Sequence, residues 1–409
     1  MKKNMATKSA SSDSGTGSLS LSRHAALIVI VLTNVLLSFG FQIWRSLFNN
    51  FAVGELGVRA DQMGVIQAIR EVPGLLGFGV GLLALVMTEM RIAGLSVVLM
   101  GVGIALTGTV HSIVPLIAST LLMSVGFHFF MPGNSSALLM LVDHDEAPGW
   151  LGRLSSWSAV GAVLSALVVY AALDRLGFRM LFYWTGGAVA LVGLILLPWA
   201  RQPARPPHTK ERTPIRRQYW LYYLLEFLMG SRRHIFTTFA IFLLVEEHHV
   251  SAQVIATLFL INNVCGALFF RQFGRIIARF GERQMLTFNF LCLILVFLGY
   301  AFVPVLALLY VLFVADHILF GFRIGIQSYF QKIALHPREI TPNLSLGQTI
   351  NHVAAVVIPV VGGVVWEVLG SQYTFLIGVG IVVLSLIVVQ WMRVERPTEL
   401  TGIASAEVG

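Results

Sequence analysis

Polar residues are sparse along this chain and gather in short clusters. Between them run twelve apolar stretches, at about residues 25–50, 61–87, 92–110, 113–141, 154–173, 180–200, 219–245, 253–270, 284–303, 305–332, 345–369 and 373–391. Each is close to or above the roughly 20 residues that a helix needs to cross the hydrocarbon core of a bilayer. They are uniformly apolar and too long for barrel strands, which alternate over about 10 residues. The pattern therefore predicts an all-α integral membrane protein with twelve transmembrane helices. Residues 1–24 lead into the first stretch; their first 20 are rich in Lys, Ser and Gly without an apolar core, so they read as a disordered cytoplasmic tail and not as a cleaved signal peptide. The one long polar interruption, RQPARPPHTKERTPIRRQ at 201–218, is basic and Pro-rich. It separates six spans (25–200) from six more (219–392), and residues 393–409 form a second tail.

Composition narrows the class. Charged residues make up 12% of the 409 and hydrophobic ones 56%, against about 25% charged in soluble domains. A soluble enzyme, a disordered chain and a nucleic-acid binder are excluded. The net charge of +8 hints at nucleic acid only until its placement is considered. Of 28 Lys and Arg residues, twenty lie in tails and loops on one side, three (Arg59, Arg175, Arg179) on the other, and five within spans. That asymmetry places both termini in the cytoplasm, and an even number of spans is needed to preserve it. Cys265 and Cys292 both fall in apolar runs, so no disulfide framework is expected.

The halves read as distant copies. Val58-Arg59-Ala60-Asp61-Gln62 before the second span matches Val250-Ser251-Ala252-Gln253 before the eighth, an offset of about 192 that also sets Arg70-Glu71 opposite Asn262-Asn263. Pro148 and Pro342 precede corresponding spans. Together with the six-plus-six division, these matches point to a parallel duplication into two pseudo-symmetric six-helix bundles.

Between the eighth and ninth spans stands Gly274-Arg275-Ile276-Ile277-Ala278-Arg279-Phe280-Gly281-Glu282-Arg283. Here the chain resembles the major facilitator superfamily of secondary transporters. Gly274, Arg279, Gly281 and Arg283 fit that family's loop pattern, while Ala278 stands for its Asp and Glu282 for an Arg. The equivalent loop between the second and third spans, Thr88-Glu89-Met90-Arg91, is degenerate. The resemblance implies a gating role for these loop residues, a monomer, and a cavity lined by spans 1, 4, 7 and 10. Pro359-Val360-Val361-Gly362-Gly363 is similar to a family packing element. Gly161-Ala162-Val163-Leu164-Ser165 lacks the Gly-Pro of the family's multidrug exporters.

Eight normally ionised residues lie within spans: Arg45, Arg70, Glu71, Glu226, Arg232, Arg233, Asp316 and Arg323. Facing lipid, each would cost about 2.5–3.5 kcal/mol, together more than the about 5–15 kcal/mol that holds a typical fold. They must pair or line a wet cavity. Five Arg against three acids leave an excess that suits an anion, because a guanidinium binds carboxylate or phosphate with two parallel hydrogen bonds. In the first span Asn34, Ser38, Gln42, Arg45 and Asn49 form one polar stripe; in the tenth, Asp316, Phe320, Arg323 and Gln327 share a face. The expected solute contacts are Gln42, Arg45, Asn49, Arg70, Arg232, Arg233 and Arg323. Structural readings stand beside them: an Arg70–Glu71 pair, an Asp316–Arg323 pair, Glu226 with whichever of Arg232 and Arg233 turns away from the cavity, and Arg45 snorkelling to the surface.

Proton coupling needs a group that titrates near neutral pH. The candidates are Asp316, Glu226 and Glu71, then His317 and His128. A divalent-metal cargo such as iron or zinc is an alternative, with His128, Asp316, His317 and Glu226 as donors, although no tight His or Cys spacing supports it. Asp143-His144-Asp145-Glu146 and Glu246-Glu247-His248-His249 read as solvated loops. No phosphate-binding Gly-Lys-Ser/Thr loop and no zinc-hydrolase helix occurs, so neither enzyme activity nor a cofactor is expected. Gly79-x-Gly81 lies within a span and reads as close helix packing. The expectation is a secondary active transporter in a bacterial inner membrane that moves a small polar, anionic solute with a proton. A non-transporting sensor or assembly factor on the same fold is the rival from another class.

Overall fold

A 50-residue helix would be about 75 Å long, more than twice the thickness of a bilayer core, so the longest helix of this protein has to double back. The computed structural model describes residues 23–77, 79–143, 146–200 and 215–393. The tail before Arg23, His144 and Asp145, most of the linker (201–214) and the C-terminal tail from 394 lie outside the described residues. In chain order the helices are α1 (Arg23–Leu56), α2 (Ala60–Leu75), α3 (Gly79–Leu83), α4 (Glu89–Thr107), α5 (Ile113–Leu141), α6 (Ala147–Leu196), α7 (Trp220–Glu246), α8 (Ala252–Phe280), α9 (Glu282–Phe302), α10 (Leu306–Phe320), α11 (Ile324–Ile333), α12 (Ile340–Leu369) and α13 (Ser371–Val389). No strand occurs among the described residues. Ten helical segments are long and apolar enough to cross a membrane, taking α10 and α11 as one.

The 50-residue α6 breaks at Gly177, whose φ of +71° and ψ of 173° are open to glycine at little cost. Its first arm packs through Gly161 on Val35 and Phe39, and its second places Val189 beside Gly40, so both arms run along α1. α6 thus runs as two arms, and α2 with α3 occupies the place of the second span expected from the sequence. The Gly- and Pro-rich second span is interrupted between Leu75 and Gly79 instead of running unbroken to residue 87. A second departure concerns the motif at 274–283. α8 continues through most of it, because Ile277 buries against the cluster of Phe273 and Phe322, and the turn comes only at Gly281 (φ +86°).

The N-terminal half (α1–α6) and the C-terminal half (α7–α13) meet along α2 and α12. Glycines bring the two backbones together. A Cβ on Gly64 would overlap the Pro359 carbonyl, one on Gly363 the Ala60 carbonyl, and one on Gly74 the His352 ring. Several polar contacts between halves lie at the end of the molecule opposite the chain termini. Asn50 Nδ2 donates to the Val250 carbonyl (2.7 Å), Gln253 Nε2 to Asp174 Oδ1 (2.8 Å), Tyr170 pairs with Thr257 (2.5 Å), and Arg59 Nε reaches Glu367 Oε1 (3.3 Å). At the termini-bearing end the described ion pairs stay within one half: Arg23–Glu146, Arg216–Glu339 and Lys332–Glu282. There α3 packs on α5, and α11 on C-terminal elements. Among the described residues, hydrogen bonds and an ion pair join the halves at the distal end, and none is found between them at the end that carries the termini.

Candidate functional site

The eight ionisable residues of the spans come together near the middle of the helices, between the halves, and they sort into two kinds. Three arginines are neutralised. Arg232 Nη1 donates to Asp316 Oδ1 at 2.6 Å, with side chains 0% and 7% exposed. Arg323 Nη2 donates to Glu226 Oε2 at 2.9 Å, and Arg70 Nη2 to Glu71 Oε1 at 2.6 Å. The Arg70–Glu71 pair is the structural reading of the sequence. The other pairings correct it: Asp316 holds Arg232 and not Arg323, and Glu226 holds Arg323 and not one of the Arg232/Arg233 pair. Asp316 and Arg323 are seven residues, about two turns, apart, and the way α7 packs against α10 and the segment after it decides between the alternatives.

Arg45 and Arg233 are different. Neither has a carboxylate partner among the described residues, and both are part-buried. Arg45 of α1 reaches across to α8, where its guanidinium lies 3.6 Å from the Phe259 ring centre. It therefore does not snorkel. Arg233 of α7 lies 4.1 Å from the Phe320 ring centre in α10. The two guanidiniums are within electrostatic reach of each other, and Arg70 is near Arg45. An aromatic face supports a guanidinium with about 0.5–2 kcal/mol while leaving its N–H edge free to bind. The three pairs cancel, so the formal excess of +2 resides on Arg45 and Arg233.

Polar atoms without a protein partner surround this centre. They include Gln42 Oε1 and Asn49 Oδ1, one turn either side of Arg45, Asn262 Oδ1 and Asn263 Nδ2 on α8, and Asn351 Nδ2 on α12. The polar stripe of α1 is thus divided. Gln42, Arg45 and Asn49 remain for the site, whereas Asn34 binds the Leu154 carbonyl and Ser158, and Ser38 binds the Ser158 carbonyl, fastening α1 to α6.

The proton-coupling candidates separate likewise. Asp316 and Glu226 sit in their arginine pairs, and His317 interacts with the Asn262 backbone. Glu71 and His128 lie together at the seam. Glu71 Oε2 is 3.6 Å from His128 Nε2 and 3.2 Å from Nδ1 of His352, which comes from the other half. The donor set His128, Asp316, His317 and Glu226 does not converge. Among the described residues the one His/Cys/Asp/Glu group that does is Glu71, His128 and His352. His352 had no partner legible in the sequence. Phe320 did carry a signal, because it shares a face with Asp316 and Arg323.

At the motif between α8 and α9, Gly274, Arg279 and Arg283 are exposed, and among the described residues Arg279 and Arg283 have no ion pair with the N-terminal half. Glu282, which stands for the family Arg, is buried and bonded to Lys332 (2.5 Å) and Ser328 (2.7 Å). Burial opposes its charge, yet these partners hold its carboxyl below the ordinary value.

The family model described as Major Facilitator Superfamily matches residues 30–339. Solved structures with the same fold include the nucleoside transporter NupG, as a mutant (TM-score 0.76, 14% identity, 90% of this chain and 99% of that one). A bacterial homologue of the human lysosomal transporter Spinster, inward-facing and unoccupied, is similar at TM-score 0.71 and 13% identity, over 90% of this chain and 97% of that one. No curated protein matches the sequence significantly.

Proposed function

Because the chain belongs to the Major Facilitator Superfamily, we propose that it is a secondary transporter whose cargo is a small organic anion gripped between Arg45 and Arg233. One observation carries the reading: a guanidinium from each half stands at the centre with an aromatic ring behind it and, among the described residues, no carboxylate in ion-pair contact with it. An uncompensated charge removed from water costs several kcal/mol. A carboxylate or phosphate offsets that cost through paired, charge-assisted hydrogen bonds. Gln42, Asn49, Asn262 and Asn263 add neutral donors and acceptors for hydroxyl or amide groups of the same solute. The likeness to a nucleoside transporter is one of fold, and a neutral nucleoside would leave both guanidiniums uncompensated.

The excess of basic loop residues supports a cytoplasmic location for the termini-bearing end; in this reading the described state, joined at the distal end, receives or releases cargo on the cytoplasmic side. Transport then follows from rocking one half against the other about the central site. The coupling proton is assigned to Asp316. In this reading Arg232 and a proton alternate as partners of that buried carboxylate.

The test is a thermal-shift series on purified protein with carboxylates, phosphates and neutral nucleosides, followed by flux into liposomes under a proton gradient. Anions are expected to raise the melting temperature of the wild type and to lose that effect in Arg45→Gln and Arg233→Gln, whose own melting stays near wild type. Equal protection of both variants refutes the clamp. Absence of flux for every stabilising anion refutes transport in favour of a sensor.

A further inference from the structure

The structure assigns a second, separate site: Glu71, His128 and His352 form a binding site for one divalent transition-metal ion of the zinc type, which ties the two halves together in the closed-distal state. Glu71 of α2 and His128 of α5 belong to the N-terminal half, and His352 of α12 to the C-terminal half. Zinc bonds of about 2.0–2.1 Å in a tetrahedron set neighbouring donor atoms about 3.3–3.4 Å apart. Glu71 Oε2 lies 3.2 Å from His352 Nδ1 and 3.6 Å from His128 Nε2, and all three donor atoms fall within 4.8 Å of one another. Two edges of the tetrahedron are therefore in place, and the third closes with a small rotation of one ring.

The hydrogen bonds around His128 direct the correct nitrogen inward. The Ser124 hydroxyl donates its proton to the Arg70 carbonyl. It can therefore only accept from His128 Nδ1 at 2.9 Å, and the Ser124 carbonyl, 3.1 Å from the same nitrogen, is also an acceptor. Nδ1 thus carries a proton for these acceptors, and Nε2 is the ring atom left to face the Glu71 carboxylate. A cation held between Nε2 and that oxygen, a metal ion in place of a proton, completes the contact. A serine that fixes the ring through its far nitrogen is the second-shell arrangement that metal-ligating histidines use. Arg70 occupies only Oε1 of Glu71, which leaves Oε2 for the metal. Two imidazoles and one carboxylate favour zinc-like ions over magnesium, which prefers oxygen donors.

Because the donors come from both halves, bound metal stabilises the state in which they meet and opposes the rocking that would separate them. The ion is a brake and not the cargo. The site involves neither Arg45 nor Arg233, so it can be tested, and can fail, independently of the anion clamp.

The experiment uses purified full-length protein freed of metal with EDTA and titrated with ZnCl2, with MgCl2 as control and CoCl2 as spectroscopic probe. Expected are a rise in melting temperature that saturates at one equivalent of zinc, no rise with magnesium, and the intense visible absorption of tetrahedral cobalt. His128→Gln and His352→Gln should each abolish the shift and the cobalt signal, and should the second fold poorly the first suffices. His248→Gln, in the distal loop, should leave both unchanged. No zinc shift in the wild type, or an equal shift in both site variants, overturns the site. Zinc accumulation in liposomes overturns the role as a brake.

Discussion

Replacing Asp316 with Asn removes the carboxylate that neutralises the most deeply buried charge in the protein. Arg232 has no exposed side-chain surface, and its Nη1 lies 2.6 Å from Asp316 Oδ1. Its other described neighbours are the Met229 sulfur at 3.3 Å and the Phe320 ring centre at 5.7 Å, and neither can balance a full charge. Nη2 has no partner within the protein. Breaking a buried pair by removing one member costs about 3–5 kcal/mol, or roughly two to nearly four powers of ten in the unfolding equilibrium. Asp316→Asn should therefore melt far below the wild type in detergent. Changing both members to apolar residues of similar size (Arg232→Met with Asp316→Leu) should restore stability to within about 1 kcal/mol, because neither desolvated charge remains. The restored double variant should still bind anions at Arg45 and Arg233 but fail to accumulate cargo under a proton gradient. Side-by-side melting of wild type, both single variants and the double variant decides the matter. If Asp316→Asn melts like the wild type, the pair is not dry and the assignment of Asp316 as proton carrier loses its basis.

Three further outcomes are expected. Gly64→Ala sets a methyl against the Pro359 carbonyl, so it should force α2 from α12 and cost about 1–3 kcal/mol, read as a lower melting temperature, whereas Gly54→Ala, with open space around it, should not. Cysteines at positions 174 and 253, joined by a 2.8 Å hydrogen bond across the distal end, should crosslink under mild oxidation once Cys265 and Cys292 are serine; failure to crosslink would contradict distal closure. Outside the membrane, the hydrogen bond from Arg216, with help from Tyr219, holds the Glu339 carboxyl below its ordinary value of 4.5. A depressed folded value means that the clasp contributes fully above about pH 4.5 and is lost as the pH falls through the lower folded value. Melting of the wild type should drop across that acid range more steeply than melting of Glu339→Gln.

Hydropathy was enough to expose the all-helical, multi-span architecture, because the bilayer imposes length and polarity on every crossing segment. The placement of eight charges near the centre was equally legible, since lipid tolerates none of them. What the chain did not disclose is rotational. Whether Asp316 meets Arg232 or Arg323 turns on how α7 packs against α10 and the segment after it, and no periodicity encodes that. Asn34 and Ser38 share the stripe of Arg45 yet serve α1–α6 packing, because the direction a stripe faces depends on its neighbours. His352 had no partner legible in the sequence; the close approach of α12 to α2 at Gly74 brings it to Glu71. The run from Gly274 to Phe280 read as a loop because of its charges, although its apolar residues sustain the helix.

Each dry ion pair is contained within a single half: Arg70–Glu71 in one, Arg232–Asp316 and Arg323–Glu226 in the other. The swing of the halves therefore breaks none of them. On the proposed reading the two solitary cations draw together as the site closes, and like charges repel more strongly in a protein interior than in water. An anion between them would relieve that repulsion, so a carrier wired in this fashion is expected to occlude loaded more readily than empty.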